Sequence, residues 1–178
     1  MNDVDGVADA ARQALTKLVG LRLSAAHNAG NMKTLQFGDL QKRGEKGFVG
    51  QFALHIQCPW RIERLGKIVT GSLDYYERAS DNTNDAWEPG AITGHLQNEI
   101  LGRLFEGLND DTRSHVNRSK QLVVEEVTAD SFGGARIRMS GDYNLVIFPS
   151  GTKGEDWRLF EPSKTPHFFI EDGKAVLE

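Results

Sequence analysis

"GQFALHIQCPWRIERLGKIVTGS", residues 50–72, decides the fold because it holds an alternating apolar run and the residue that must interrupt it. Apolar and polar side chains alternate within Phe48–Cys58, with a period of two that is typical of a β-strand. Pro59 has no backbone N–H to donate and therefore interrupts the hydrogen-bonded ladder. The extended pattern then resumes, and a Leu-Gly turn at residues 65–66 reverses the chain. The stretch predicts a bent strand followed by a hairpin.

The rest of the chain indicates further antiparallel strands. Upstream, two short strands surround a turn at Asn28–Asn31 and predict a hairpin. Downstream, turn signals separate five strand patterns: KQLVVEEVTAD, GARIRMSG, YNLVIFPS, DWRLFEP and PHFFIED. Short connections favour antiparallel pairing, and the lack of long crossover helices argues against a doubly wound parallel sheet.

Apolar residues at helical spacing predict two helices, one over Val4–Leu18 and one near 93–108. The expected caps and ends are Asn2 or Asp3 and Gly20 for the first helix, and Thr93 and Gly107 or Asn109 for the second. We therefore expect an α+β fold, a single domain over residues 1–178 with a bent antiparallel sheet and two helices.

Composition limits the classes of function. A chain of 178 residues with 39% hydrophobic and 26% charged residues suits one soluble globular domain. The formal net charge of -4 gives no basic field for nucleic acid. Acidic residues near the N-terminus disfavour a signal peptide, and no segment approaches the roughly 20 apolar residues of a membrane span. One cysteine allows no internal disulfide, so we expect a cytoplasmic protein that binds neither nucleic acid nor membrane.

No complete catalytic or metal-binding pattern is present. His55 and Cys58 are three residues apart, and residues at that spacing point to opposite faces of a regular strand. The five histidines occur singly, and the pair His95 and Glu99 is explained by a helix cap or a solvated pair. The glycine-containing segment at 150–156 lies between strands, where it favours a turn over a phosphate loop. We therefore expect a structural Cys58, no catalytic residue, no metal and no cofactor.

A repeated dipeptide supplies the first candidate binding surface. Trp60-Arg61 and Trp157-Arg158 place each tryptophan and its arginine on opposite faces of a strand. One interpretation is two buried indoles with arginines in ordinary surface ion pairs. The other is a recognition patch, in which neighbouring Arg61 and Arg158 join His55 to meet an acidic partner.

The polar loop at 77–93 supplies the second candidate surface. It contains Asp81, Asp85 and Glu88 around Trp87. Carboxylates around an exposed aromatic favour a basic partner, whereas a solvated loop with a tucked-in indole is the alternative. The spacing of a standard calcium loop is missing.

The stretches GQFALHIQCPWRI (50–62), YNLVIFPS (143–150) and EDWRLFEP (155–162) together resemble a pattern found in small uncharacterised bacterial proteins. Some proteins with such a Trp-Arg-Leu-Phe strand near the end look like immunity or accessory proteins of bacterial toxin systems. The resemblance implies an immunity-like role and transfers no functional residue.

The leading expectation is a protein-binding or accessory module that acts through a charged surface. A small-molecule-binding protein with a cleft between sheet and helix, or a hydrolytic enzyme, is the alternative. Exposed edge strands of an open sheet also favour a homodimer.

Overall fold

The computed structural model describes residues 4–44, 47–106 and 115–178. Within these ranges the chain forms two α-helices, a 3-10 helix and fourteen strands. The helices are α1 (Val4–Thr16) and α2 (Leu96–Phe105), and the 3-10 helix covers Ser72–Tyr76. The strands are β1 (Leu23–Ala29), β2 (Met32–Phe37), β3 (Gln41–Arg43), β4 (Gly47–Val49), β5 (Phe52–Ile56), β6 (Trp60–Arg64), β7 (Lys67–Gly71), β8 (His115–Val116), β9 (Val124–Ala129), β10 (Ala135–Met139), β11 (Tyr143–Ile147), β12 (Glu155–Phe160), β13 (Phe168–Glu171) and β14 (Lys174–Leu177).

The strands form two antiparallel sheets and one small ribbon. The larger sheet has the order β14-β13-β12-β5-β2-β1-β8, and the smaller sheet has the order β7-β6-β11-β10-β9. The ribbon pairs β3 with β4. The predicted α+β class is confirmed, whereas the prediction of one bent sheet is replaced by two sheets that share a corner.

The corner lies where the sequence predicts the bend. Proline cannot continue the ladder of β5, and the chain passes from the larger sheet to the smaller one across residues 57–59. The N–H groups of Gln57 and Cys58 both donate to the carbonyl of Asp156, at 2.8 and 3.1 Å. The carbonyl of Pro59 accepts from the N–H of Phe148 at 3.0 Å. The chain therefore crosses this corner a second time, from β11 in the smaller sheet to β12 in the larger sheet, antiparallel to its first crossing.

One apolar core fills the space between the sheets. Trp60 is 2% exposed and Trp157 is fully buried, as predicted. The indole Nε1 of Trp157 donates to the carbonyl of Gly133 at 2.7 Å, which satisfies the polar atom that its burial takes from water. Helix α1 packs against β9 and β14 and buries Ala11 and Leu15, and Leu18 is buried in the turn that follows it.

The strand predicted over Phe48–Cys58 is broken at Gly50, because β4 turns back onto β3 before β5 begins. A Cβ at Gly50 would collide with the backbone carbonyl of Phe37, so this close approach requires glycine. The N–H of Gly50 donates to the side-chain Oε1 of Gln36 at 2.9 Å. This contact fixes the ribbon on the outer face of the larger sheet.

Both predicted helices are present, with different boundaries. Helix α2 begins at Leu96 with His95 as its N-cap, rather than with Thr93. The ring Nδ1 of His95 accepts from the N–H of Asn98 at 3.3 Å, which performs the capping function expected of a threonine. The predicted cap at Asn2 or Asp3, and the predicted helix end at Gly107 or Asn109, lie outside the described residues.

The predicted hairpin around residue 30 is confirmed, and Gly30 adopts a positive φ of 60° at its turn. The segment 77–93 is a loop, as predicted, apart from a single bridge between Arg78 and His95. Strands β8 and β14 and the pairing of β3 with β4 were not predicted. In the part of the chain that the structure describes, no helix has the length and apolar character to cross a membrane.

Candidate functional site

One row of side chains on the outer face of the larger sheet joins residues from four strands. The register pairs His27 with Thr34, Thr34 with His55, and His55 with Arg158. Residues paired directly across strands share a face, so these side chains lie side by side. The adjacent row on this face contains Gln36, Ala53 and Phe160.

The β3–β4 ribbon covers part of this face and creates a cleft with a volume of about 380 Å³. The floor of the cleft comes from β1, β2 and β5, and the ribbon supplies Arg43, Phe48 and Val49. Phe160 and Pro162 line it from the segment that ends β12. The volume falls within the range of roughly 300–1,000 Å³ that is usual for small-molecule sites.

The two cleft histidines are uncharged at neutral pH. Burial lowers the pKa of His27 to about 4, and the nearby charge of Lys33 acts in the same direction. Burial also lowers the pKa of His55, although Glu155 opposes this shift. A neutral imidazole offers one donor and one acceptor nitrogen. Within the described residues, neither ring hydrogen-bonds to a protein group.

Two further polar side chains lie at the floor. The Oγ1 atom of Thr34 is buried, and no group among the described residues forms a hydrogen bond with it. The Oε1 atom of Gln36 accepts from Gly50, which leaves the amide NH₂ of Gln36 as the remaining polar group of that side chain. The floor therefore combines an unsatisfied hydroxyl with an oriented amide.

Arg158 supports the cleft from its side. Its guanidinium donates to Glu155 through Nε at 3.1 Å and through Nη2 at 2.6 Å, and its Nη1 lies 3.1 Å from Nδ1 of His167. The ring of Phe160 lies between His55 and His167, with centroid separations of 4.8 and 4.6 Å. The charge of Arg158 is thus paired within the protein, and its contacts hold an aromatic wall in place.

A second polar cluster lies on the core side of β2, the strand whose outer face carries Thr34 and Gln36. Lys33 is 1% exposed, its Nζ donates to Oδ1 of Asn28, and it lies 5.8 Å from the ring centroid of Trp60. The Nδ2 atom of Asn28 donates to Oε1 of Gln97 on α2 at 3.3 Å. Burial lowers the pKa of Lys33 to about 7. No carboxylate among the described residues forms a salt bridge with it.

Two buried histidines lie close to this lysine. Burial and the charge of Lys33 lower the pKa of both His95 and His115 to about 4. Within the described residues, Nε2 of His95 and both ring nitrogens of His115 have no hydrogen-bond partner. The interior next to α2 therefore contains three basic side chains in an apolar setting.

The predicted arginine patch is only partly assembled. Arg158 lies beside His55, as expected, but Arg61 lies in the smaller sheet, where it pairs with Glu63 at 2.7 Å. Its guanidinium also stacks over Phe148, 5.3 Å from the ring centroid. The structure matches the first interpretation, two buried indoles with arginines in ion pairs, and not a joint arginine patch, because the corner places the strands of Arg61 and Arg158 in different sheets.

The acidic loop keeps its carboxylates at the surface. Asp81, Asp85 and Glu88 are exposed, and the nearest cation to Asp85 is Arg78 at 3.9 Å. The indole of Trp87 is half-buried and donates to the carbonyl of Thr93 at 3.0 Å, which matches the tucked-in alternative.

Cys58 is buried in the core cluster, whereas His55 lines the cleft on the other face. Burial, together with the charge of Asp156, raises the pKa of the Cys58 thiol to about 12. A thiol that stays protonated at neutral pH is a poor nucleophile. Cys58 is therefore buried, as the structural interpretation predicts.

Sequence reasoning missed most of the cleft: His27, Thr34, Gln36, Arg43 and Phe48. These side chains come from four strands, and only the register of the larger sheet and the fold of the ribbon bring them together. Alternation within β2 was the available signal, because it places Thr34 and Gln36 on the face opposite the apolar Leu35 and Phe37.

Among the described residues, no group of three His, Cys, Asp or Glu side chains is placed to hold a metal ion. Glu99 instead accepts from the N–H and the hydroxyl of Ser80, both at 2.6 Å, and pairs with Arg103. The cleft is therefore the arrangement with the clearest binding chemistry. Comparison of the chain with protein-family models, with curated proteins and with solved structures finds no match in any of the three.

Proposed function

We propose that this protein binds a small molecule in the cleft between the β3–β4 ribbon and the outer face of the larger sheet. The observation that carries the proposal is the pair of uncharged imidazoles, His27 and His55, which line a cleft of about 380 Å³ without a protein hydrogen-bond partner in the described residues.

The chemistry of the lining supports this proposal. The buried hydroxyl of Thr34 is removed from water and has no hydrogen-bond partner among the described residues, which costs free energy that a ligand would offset. The apolar walls, Phe48, Phe160 and Pro162, provide surface against which a small organic body packs. A few polar groups among apolar walls are the usual composition of a small-molecule site.

The test uses benzoate, benzamide, benzyl alcohol and benzylamine as probes, followed by two-dimensional NMR of the protein. At least one probe is expected to shift the ring resonances of His27 and His55 saturably, with a dissociation constant of about 0.1–10 mM for so few atoms. Ala53→Leu places a branched side chain on the cleft floor and should abolish these shifts. Ala86→Leu, at an exposed loop position, is the matched control and should leave them unchanged.

Absence of saturable shifts with all four probes contradicts the proposal. So does binding that persists unchanged in Ala53→Leu, because that result places the probe elsewhere. The spectrum of each variant also reports whether it is folded.

A second candidate function is the binding of a basic protein partner by the acidic loop. The favouring observation is that the loop is held in place while its carboxylates stay exposed: Asn82 Nδ2 donates to the carbonyl of Gly94 at 2.9 Å, and Arg78 Nη2 donates to that of Asn84 at 2.6 Å. A fixed acidic surface increases the association rate of a cationic partner. The immunity-like role stays a prediction within this candidate.

Reversal of Asp81, Asp85 and Glu88 to lysine tests the second candidate. Solvated charges contribute little to folding, so the free energy of unfolding should change by less than about 1 kcal/mol. Association with a partner captured from the source lysate should become slower. Reversal of Asp39 and Glu171, both exposed outside the loop, is the control. An unchanged set of partners and unchanged association rates remove the loop from consideration.

A further inference from the structure

Among the described lining residues the only formal charge is that of Arg43, whereas the carboxylate of Glu155, which acts on His55 from outside the lining, is paired with Arg158. The described lining residues include no Asp or Glu side chain. Because opposite charges attract most strongly where water is partly excluded, such a lining favours an anionic ligand over a neutral or cationic one.

The polar groups of the floor and ribbon favour a ligand rich in acceptors. The amide NH₂ of Gln36 is a donor, and the bond from the N–H of Gly50 to the oxygen of the same amide fixes its orientation. The guanidinium of Arg43 donates only, and each neutral imidazole contributes one N–H. A carboxylate accepts at both oxygens and forms two parallel hydrogen bonds with a guanidinium.

The interior places one titratable amine beneath the floor, that of Lys33, whose pKa of about 7 leaves it partly protonated at neutral pH. Lys33 is adjacent in sequence to Thr34 and points to the core side of β2. Its charge acts on His27, which lines the cleft, so its field crosses the strand. Its surroundings are basic or neutral in the described part of the chain: His27 and Asn28 on β1, His95 and Gln97 at α2, and His115 on β8.

The walls define the rest of the ligand. Phe48 and Phe160 line the cleft from the ribbon and from β12, and Pro162 adds a further apolar surface. Aromatic rings on these walls favour a flat or compact apolar body through offset or edge contacts.

We propose that the ligand of the cleft is a small organic carboxylate, whose charged group lies at Arg43 and whose apolar body packs against Phe48 and Phe160. This inference rests on the proposed small-molecule function and specifies its ligand class. An inorganic anion does not satisfy it, because such an anion makes no use of the aromatic walls.

The test compares benzoate with benzamide, which have nearly the same shape and differ in charge, by NMR titration of the full chain. Benzoate is expected to bind about tenfold more tightly, the ratio that one charge-assisted hydrogen bond supplies. Arg43→Gln should reduce this ratio to about threefold or less, mainly by weakening benzoate. Lys42→Gln removes the adjacent exposed cation, which does not line the cleft, and should leave the ratio unchanged.

The outcomes separate this inference from the proposed function. Benzamide that binds as tightly as benzoate, with both lost in Ala53→Leu, overturns the carboxylate and keeps the small-molecule site. A ratio that falls equally in Arg43→Gln and Lys42→Gln overturns the contact with Arg43. Sodium sulfate that displaces benzoate completely at an equal concentration shows an inorganic anion site and also overturns the inference. Failure of every probe to bind overturns both proposals.

Discussion

Replacement of Lys33 by methionine is expected to stabilise the protein and to remove a specific part of its pH dependence. The lysine is 1% exposed, and burial lowers its pKa from 10.5 to about 7. This difference in pKa between the folded and unfolded states corresponds to a loss of about 5 kcal/mol in the free energy of unfolding while the buried amine is charged. Because the folded-state pKa is the lower one, this destabilisation is complete below pH 7 and disappears as the pH rises toward 10.5.

The gain from Lys33→Met should be smaller than the whole cost of burying the charge. Methionine loses the hydrogen bond to Asn28 and the contact with Trp60. Replacement of buried charged groups by apolar side chains of similar volume commonly raises stability by about 1–4 kcal/mol, and we expect that range at pH 7.

The slope of stability against pH is the sharper measurement. Half of the folded molecules still hold the lysine proton at pH 7 and almost none at pH 9, while the unfolded lysine keeps it, so wild-type stability should rise by about 2 kcal/mol in total between pH 7 and pH 9. The window ends near pH 9, since above it the unfolded Cys58 thiol ionises and the folded one, with a pKa of about 12, does not. Because the unfolded thiol loses a proton that the folded thiol keeps, the free energy of unfolding falls as the pH rises further.

Urea denaturation at pH 7, 8 and 9, followed by tryptophan fluorescence, provides the assay. The stability of Lys33→Met should lose most of this rise and keep only the small part near pH 7 that comes from the buried histidines, whose pKa values are lower in the folded state. Lys120→Met, at an exposed position, is the control and should keep the wild-type slope. Equal slopes for wild type and Lys33→Met, or a less stable Lys33→Met at pH 7, would refute the description of Lys33 as an unpaired buried base.

Three further predictions concern single side chains. Thr34→Val should raise the free energy of unfolding by about 1 kcal/mol, because it removes a buried hydroxyl that has no hydrogen-bond partner among the described residues. Thr70→Val should lower the free energy of unfolding, since the hydroxyl of Thr70 donates to Asp74 at 2.8 Å. Urea denaturation in which the two variants change stability in the same direction contradicts this prediction. Cys58 in the folded protein should react with a thiol reagent at pH 8 far more slowly than in the urea-unfolded chain. Rapid stoichiometric labelling of the folded protein would support a nucleophilic role for Cys58 instead. Trp157→Ala should cost about 3–5 kcal/mol, and a loss below 1 kcal/mol in the same assay is incompatible with a buried indole.

Local sequence patterns predicted much of the fold because strands and turns here follow local rules. The alternation in residues 52–58 and the missing N–H of Pro59 place the corner of the two sheets correctly. The division into two sheets depends instead on which distant segments pair. β6 pairs with β11 and β5 with β12, so the register matches Trp60 with Ile147 and Trp157 with Ile56. No local pattern specifies that register, so the repeated Trp-Arg dipeptide left it open whether the two arginines are neighbours.

The candidate site was less accessible from the sequence because its residues are scattered and chemically ordinary. His27, Thr34 and His55 become neighbours only when β1, β2 and β5 pair in register. The ribbon that closes the cleft depends on one glycine, Gly50, whose lack of a side chain allows the approach to β2. The charged, glycine-containing residues 41–47 show no alternation that would predict a covering ribbon.

The short strand β2 carries opposite environments on its two faces, and its buried lysine hydrogen-bonds to Asn28 but forms no salt bridge with a described residue. Lys33 points inward and Thr34 points to the cleft, with one peptide unit between them. A cation buried against a wall without a carboxylate destabilises the fold, yet its field reaches His27 and thus the cleft. A carboxylate bound there would offset part of that destabilisation, because it places a negative charge across the strand from the lysine. Binding and folding would then be linked through one strand, since a ligand that binds only the folded state adds its binding free energy to stability. The stabilisation by benzoate in wild type should exceed that in Lys33→Met by the same linkage, and equal stabilisation of the two proteins would separate the lysine from the cleft.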